Sequence, residues 1–118
     1  MVMEIKIAVN DEVLTVRLEQ NVATEALVER LEEGEVVVEA REYGGFEKVG
    51  ELGFRLPTQD AEMKTRPGDV MLYQGDQMTI FYGSNAWSYT KLGEVMGEAK
   101  GRLASILGKG DVKLRLSL

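Results

Sequence analysis

The chain contains no cysteine and no histidine. The first absence removes disulfides, thiol nucleophiles and the usual Cys/His zinc sites. The second removes Ser-His-Asp and Cys-His catalysis, together with the side chain that most readily carries protons near neutral pH. An acid/base enzyme made from this alphabet has to use a shifted carboxylate, a lysine or a tyrosine. Positive charge is also in short supply: 14 Lys and Arg face 20 Asp and Glu, for a net charge of -6. No segment concentrates the cations needed to displace counterions from nucleic acid or to hold an anionic membrane surface. No run approaches the ~20 apolar residues of a membrane helix. The N-terminal M-V-M-E-I-K-I alternates apolar and charged residues, which suits a strand and not a signal peptide. The expected protein is cytoplasmic, unless a leader has been trimmed from a longer precursor, with neither nucleic acid nor membrane as partner.

What is present fits one soluble domain spanning residues 1–118, with 44% hydrophobic and 29% charged residues. Met3, Ile5, Ile7 and Val9 alternate with polar neighbours. After the turn pair Asn10-Asp11, so do Leu14, Val16 and Leu18, which predicts a hairpin. Asn21 is placed to cap a helix carrying Val22, Ala26, Leu27 and Leu31 on one face, ended by Gly34. Val36, Val37 and Val38 read as a buried strand. The glycine-containing stretch from Arg41 to Gly53 reads as a long irregular loop. Phe54-Arg55-Leu56 reads as a short strand halted by Pro57, and Ala61, Met63 and Thr65 alternate. From Glu94 to Leu107 the apolar positions Met96, Ala99, Leu103 and Ile106 take helical spacing. Val112, Leu114, Leu116 and Leu118 form a last strand.

The segment from Arg66 to Leu92 organises the rest. It carries the Arg66–Asp69 turn and three strand-like runs, Asp69–Gln74, Met78–Gly83 and Trp87–Leu92. The tight turn Gly75-Asp76 joins the first two. It also holds most of the aromatic residues. So many short strands with two helices predict a mainly β fold, a closed barrel or a sandwich.

Three stretches carry a family resemblance: Y-G-G-F-E-K-V-G from Tyr43 to Gly50, P-G-D-V-M-L-Y-Q-G from Pro67 to Gly75, and I-F-Y-G-S-N-A-W-S-Y-T-K-L-G from Ile80 to Gly93. The chain resembles the small bacterial cyclophilin-like domains over nearly its whole length. The last stretch is also similar to the second half of true cyclophilins. The resemblance implies a closed β-barrel capped by helices, in a family whose small members have no settled function. True cyclophilins turn X-Pro bonds between cis and trans, which requires no nucleophile. The barrier of about 18–20 kcal/mol comes from amide double-bond character, and a dry proline pocket with an arginine donor lowers it. By this resemblance Arg55 would stand for that arginine and Phe81 or Tyr82 for the pocket phenylalanine. Trp87 would stand for the loop tryptophan, and Tyr89 would occupy the place of a histidine. The F-M-x-Q-G-G-D run that follows the arginine in true cyclophilins is missing, Gln59-Asp60 is a poor substitute, and the loop before Trp87 is short.

The candidate ligand-binding residues are therefore Tyr43, Arg55, Gln74, Phe81, Tyr82, Trp87 and Tyr89. Each has a plainer role available. Arg55 suits a solvated ion pair, Trp87 a core filler, and Gln74 with Gln77 ordinary turn residues. Phe81 and Tyr82 are adjacent, so only one of them faces any given side of a strand. Phe46 suits an anchor for its loop, with Tyr43 left open. Glu32, Glu33 and Glu35 lack the spacing of a calcium loop, so no metal and no cofactor is expected. The expected function is a non-catalytic module holding a peptide or small molecule in an aromatic-rimmed groove. A weak prolyl isomerase using Arg55, or a structural domain acting through a partner or a homodimer, are the alternatives.

Overall fold

A computed structural model describes residues 4–118. Among them, alternation dictates most of the architecture. Nine strands form: β1 (Glu4–Val9), β2 (Glu12–Leu18), β3 (Val36–Tyr43), β4 (Glu47–Glu51), β5 (Ala61–Lys64), β6 (Asp69–Tyr73), β7 (Gln77–Phe81), β8 (Ala86–Val95) and β9 (Val112–Ser117). Eight of them run antiparallel in the order β2-β1-β9-β3-β4-β7-β6-β8, and β8 pairs back onto β2. The sheet is a closed barrel, so those eight strands leave no open edge. The remaining strand, β5, pairs with the first half of β8, Met63 opposite Trp87 and Ala61 opposite Tyr89.

Closure depends on a position without a side chain. Leu18 of β2 faces Gly93 of β8. A Cβ on Gly93 would stand 2.1 Å from the Arg17 carbonyl oxygen, so only glycine lets the two backbones meet.

Inward residues of every barrel strand except β4 form one apolar cluster with the helices. α1 (Val22–Glu32) adds Ala23, Leu27 and Leu31, and α2 (Leu103–Leu107) adds Leu103, Ile106 and Leu107. α1 starts from a complete capping box, Asn21 with Thr24. Asn21 Nδ2 also donates to the Lys91 carbonyl at 2.8 Å, fixing the helix to β8. α2 closes the opposite end, where Asn10 Nδ2, in the β1–β2 turn, donates to the Ile106 carbonyl at 2.9 Å.

Lys48 completes that second end. It lies on the inward face of β4, fully buried, opposite Ile80. Its ammonium donates to the carbonyls of Gly108 (2.9 Å) and Gly110 (2.6 Å) and to Glu42 Oε1 (3.1 Å). The stem fills the barrel while the head satisfies the chain leaving α2, so a buried charge is fully partnered.

Several elements depart from the sequence reading. The stretch from Arg41 to Gly53 is not one irregular loop: β3 and β4 form a hairpin across it, turned at Gly44-Gly45. Phe54–Leu56 is not a strand. The helix expected from Glu94 begins late, because Val95 still pairs with Val16 and Met96 N–H donates to the Thr15 carbonyl at 2.8 Å. Ladder bonds override the helical spacing there, leaving a 3-10 turn at Glu98–Arg102 and the short α2. Val37 is exposed between Val36 and Val38, so that run alternates instead of being buried throughout. Val22 is exposed while Ala23 and Thr24 turn inward. Met3 lies outside the described residues.

Two substitutions test this account. Gly93→Ala wedges the β2–β8 seam and is expected to cost about 1–3 kcal/mol in urea unfolding. Lys48→Ala leaves two carbonyls and the barrel end unfilled, with an expected loss of about 3 kcal/mol or more by the same measurement. A change within 0.5 kcal/mol for either, roughly the scale of an unimportant surface substitution, contradicts the role given to that residue.

A candidate ligand cleft on the outer wall

The pleat that turns Lys48 inward turns its neighbours Glu47 and Val49 outward. Three cross-strand pairs on this outer face line a cavity of about 590 Å³. They are Tyr43 with Glu47 and Arg41 with Val49 across β3–β4, and Tyr73 with Gln77 across β6–β7. Asn85, Trp87 and Tyr89, from the start of β8 and its lead-in, form the facing side. Phe46, in the β3–β4 turn, fills the corner.

Beneath the cavity a second, smaller apolar cluster separates it from the barrel interior. Met71, Phe81 and Tyr89 are its buried members, with Phe46, Met63 and Tyr73 packed against them. The rings form a connected chain. Tyr43 meets Phe46 edge-on at 5.8 Å, Phe46 stacks on Phe81 at 6.2 Å, Phe81 meets Tyr89 edge-on at 5.5 Å, and Tyr89 leans on Tyr73 at 6.0 Å. These are favoured aromatic geometries. Gly44 makes room for the chain: a Cβ there would stand 2.2 Å from the Phe46 ring. Phe46 also accepts from the N–H groups of Tyr82 and Gly83 through its carbonyl, both at 3.0 Å, which ties the turn to the end of β7.

The sequence candidates divide. Tyr43, Trp87 and Tyr89 line the cavity, the first two exposed at its rim and the third buried at its floor. Phe81 points to the same side but lies beneath Phe46 and Tyr89. Tyr82 faces the other way and packs against the barrel cluster. Its hydroxyl donates to Glu42, and its ring lies 5.7 Å from the Lys48 ammonium. Burial and that donation to Glu42 push the Tyr82 phenol up to about 12, while the Glu42 carboxyl is held below its usual range chiefly by Tyr82. Arg55 and Gln74 lie away from the cavity, beside the β6–β7 turn. The Arg55 guanidinium donates to the Gln74 carbonyl at 3.1 Å and meets Asp76 at 3.5 Å.

With this geometry in place, comparison with known proteins places the chain. Its residues 7–117 match the model of the Cyclophilin-like family. The chain belongs to that family. The closed barrel with a helix at each end agrees with the assignment. No curated protein and no solved structure gives a significant match.

Glu47 is the residue the sequence reading passed over. It is 5% exposed and lines the cavity, and no hydrogen bond or ion pair among the described residues engages its carboxyl. Arg41 lines the same cavity but is exposed and does not pair with it. Burial, with negative Glu42 nearby, raises the Glu47 carboxyl from 4.5 to about 7. Burial also pushes the Tyr89 phenol up, against the opposing effect of Asn85. Asn85 Nδ2 donates to the Tyr89 hydroxyl at 3.0 Å, which leaves the phenol proton free to meet an acceptor in the cavity. The site therefore offers apolar ring surface, one phenol donor and one carboxyl group with no partner in the chain.

The raised carboxyl has a consequence for stability. Unfolded, Glu47 titrates near its ordinary value. Between pH 4.5 and about 7 the folded chain thus holds a proton that the unfolded chain has lost. Stability falls as pH rises through that window, and above it the penalty is roughly 3 kcal/mol. Glu47→Gln removes the titration. The variant is expected to be more stable than the parent at pH 8 in urea unfolding, with the gap closing by about pH 4.5. A gap of the same size at both pH values contradicts the buried, unpaired state of Glu47.

Proposed function

We propose that this cyclophilin-like domain is a binding module that holds a small molecule or a short peptide segment in the outer-wall cleft. The observation that carries the reading is the gathering of five rings, those of Tyr43, Phe46, Tyr73, Trp87 and Tyr89, around one cavity of about 590 Å³. That volume falls within the range of ligand pockets, roughly 300–1,000 Å³. A cavity walled by apolar rings with a few convergent polar groups is the usual design of such a site. Tyr43 and Trp87 are 61% and 58% exposed, a large solvent contact for rings of that size, and both stand at its rim.

An isomerase centred on Arg55 has less support. That chemistry needs an arginine donor beside a dry ring pocket, and Arg55 lies outside the cavity with its side chain 70% exposed. The cavity's own arginine, Arg41, is exposed as well.

Trp87 is the single tryptophan, so its fluorescence reports on the cleft without interference. Titration with a library of proline-containing peptides and drug-sized aromatic molecules is expected to give a saturable shift for some members, weakened at least fivefold by Tyr43→Ala. No saturable shift across the set argues against a ligand cleft at this wall.

A further inference from the structure

Glu42 and Glu47 face opposite sides of the same hairpin and differ in one respect. Glu42 is fully engaged: it accepts from the Tyr82 hydroxyl, from Lys48 Nζ at 3.1 Å and from Gly45 N–H at 2.8 Å. Glu47 is more deeply buried and has no partner among the described residues. Buried carboxyl groups ordinarily find a partner inside the fold, and an exception calls for an explanation. Glu47 also opens into a cavity that five aromatic rings line together with Arg41, Val49, Gln77 and Asn85. Ring faces carry negative quadrupole potential, and several of them around one carboxylate make a receptor for a cation. Arg41 is the one cation among the lining residues. It is exposed at the mouth, where water and salt screen it, while Glu47 acts at the buried end, where charge is felt most strongly.

We propose that the cleft binds an organic ammonium group, a protonated alkylamine or a quaternary ammonium, seated among Tyr43, Phe46, Tyr73, Trp87 and Tyr89 with its charge against the Glu47 carboxylate. This rests on the reading of the cleft as a ligand site and names the class of ligand. A bound ammonium supplies the counter-charge that Glu47 lacks and favours its ionised form. Affinity therefore rises with pH as Glu47 loses its proton. The charged and titratable groups that face Glu47 are Arg41 and Tyr43 of β3, Tyr73 of β6 and Tyr89 of β8, with Glu42 and Lys48 close by on the opposite face of the hairpin.

The test is a Trp87 fluorescence titration at constant ionic strength with n-butylammonium and tetramethylammonium chlorides, with n-butanol as the neutral counterpart. Both cations are expected to bind at least tenfold more tightly than n-butanol at pH 8. Affinity is expected to fall severalfold from pH 8 to pH 6. Glu47→Gln, an isosteric change, should weaken the cations about tenfold, leave n-butanol unchanged and flatten the pH dependence. Trp87→Leu, at the exposed rim, should weaken tetramethylammonium when followed by calorimetry. Butanol binding as tightly as the cations, or cation binding untouched in Glu47→Gln, overturns the ammonium assignment while leaving a neutral-ligand cleft standing. Absence of saturable binding by all three probes overturns the ammonium assignment, and if the peptide and aromatic library is silent as well the cleft reading falls with it.

Discussion

The pleat of β4 sets two neighbouring charged residues on opposite faces of one closed wall. Lys48 must point into the barrel because Glu47 points out, and neither can turn without breaking the register with β3 and β7. Inside, the ammonium finds two backbone carbonyls and a carboxylate and becomes part of the end closure. Outside, the carboxyl is pressed beneath a rim of rings and finds no partner within the described residues. One strand thus carries both a fully partnered buried ammonium and a carboxyl that the chain leaves unpaired at the cavity wall. Natural folds keep such an unpaired, largely buried carboxyl at some cost to stability, and a ligand of opposite charge is a physical reason to keep it.

The rings give the cleft its shape before anything binds. The chain from Tyr43 through Phe46, Phe81 and Tyr89 to Tyr73 runs across β3, the β3–β4 turn, β7, β8 and β6. Each ring is held by the next, and Phe46 is held further by the turn glycine and the end of β7. A wall ordered in this way loses little conformational freedom on binding, which favours affinity for a small ligand. Asn85, in the lead-in of β8, is pinned to Thr65 Oγ1 just after β5 and orients the Tyr89 hydroxyl in the same rigid frame.

Much of the barrel is legible in the sequence because most of its strands bury one face and so alternate. The hairpin of β1 and β2, the β6–β7 hairpin, the capped α1 and the last strand all follow from spacing and turn chemistry. The β3–β4 hairpin was obscured by its glycines: Gly44, Gly45 and Gly50 look like loop material, yet two of them form the turn and the third lets β4 pass close to β3. Reading Y-G-G-F-E-K-V-G as strand, turn, strand would have paired Tyr43 with Glu47 and separated Glu47 from Lys48, exposing the candidate site residue that was missed. The segment from Glu94 carries true helical spacing only from Leu103 onward, because the seam with β2 claims the chain as far as Met96, and a seam between distant strands leaves no local mark. Arg55 and Gln74 entered as candidates through resemblance and turn position, and neither signal reports which wall of a barrel a residue faces.

The chemistry of the cleft turns on a single ionisation, that of the carboxyl set between the aromatic rim and the barrel wall. Carbon-detected nuclear magnetic resonance of the Glu47 side-chain carboxyl across pH 3 to 9, in the unliganded protein, measures it directly. An inflection near pH 7, well above those of the exposed glutamates, is the predicted result. An inflection near 4.5 would mean that water or another charge already satisfies Glu47, and would contradict the buried, unpartnered acid on which the cleft's chemistry is built.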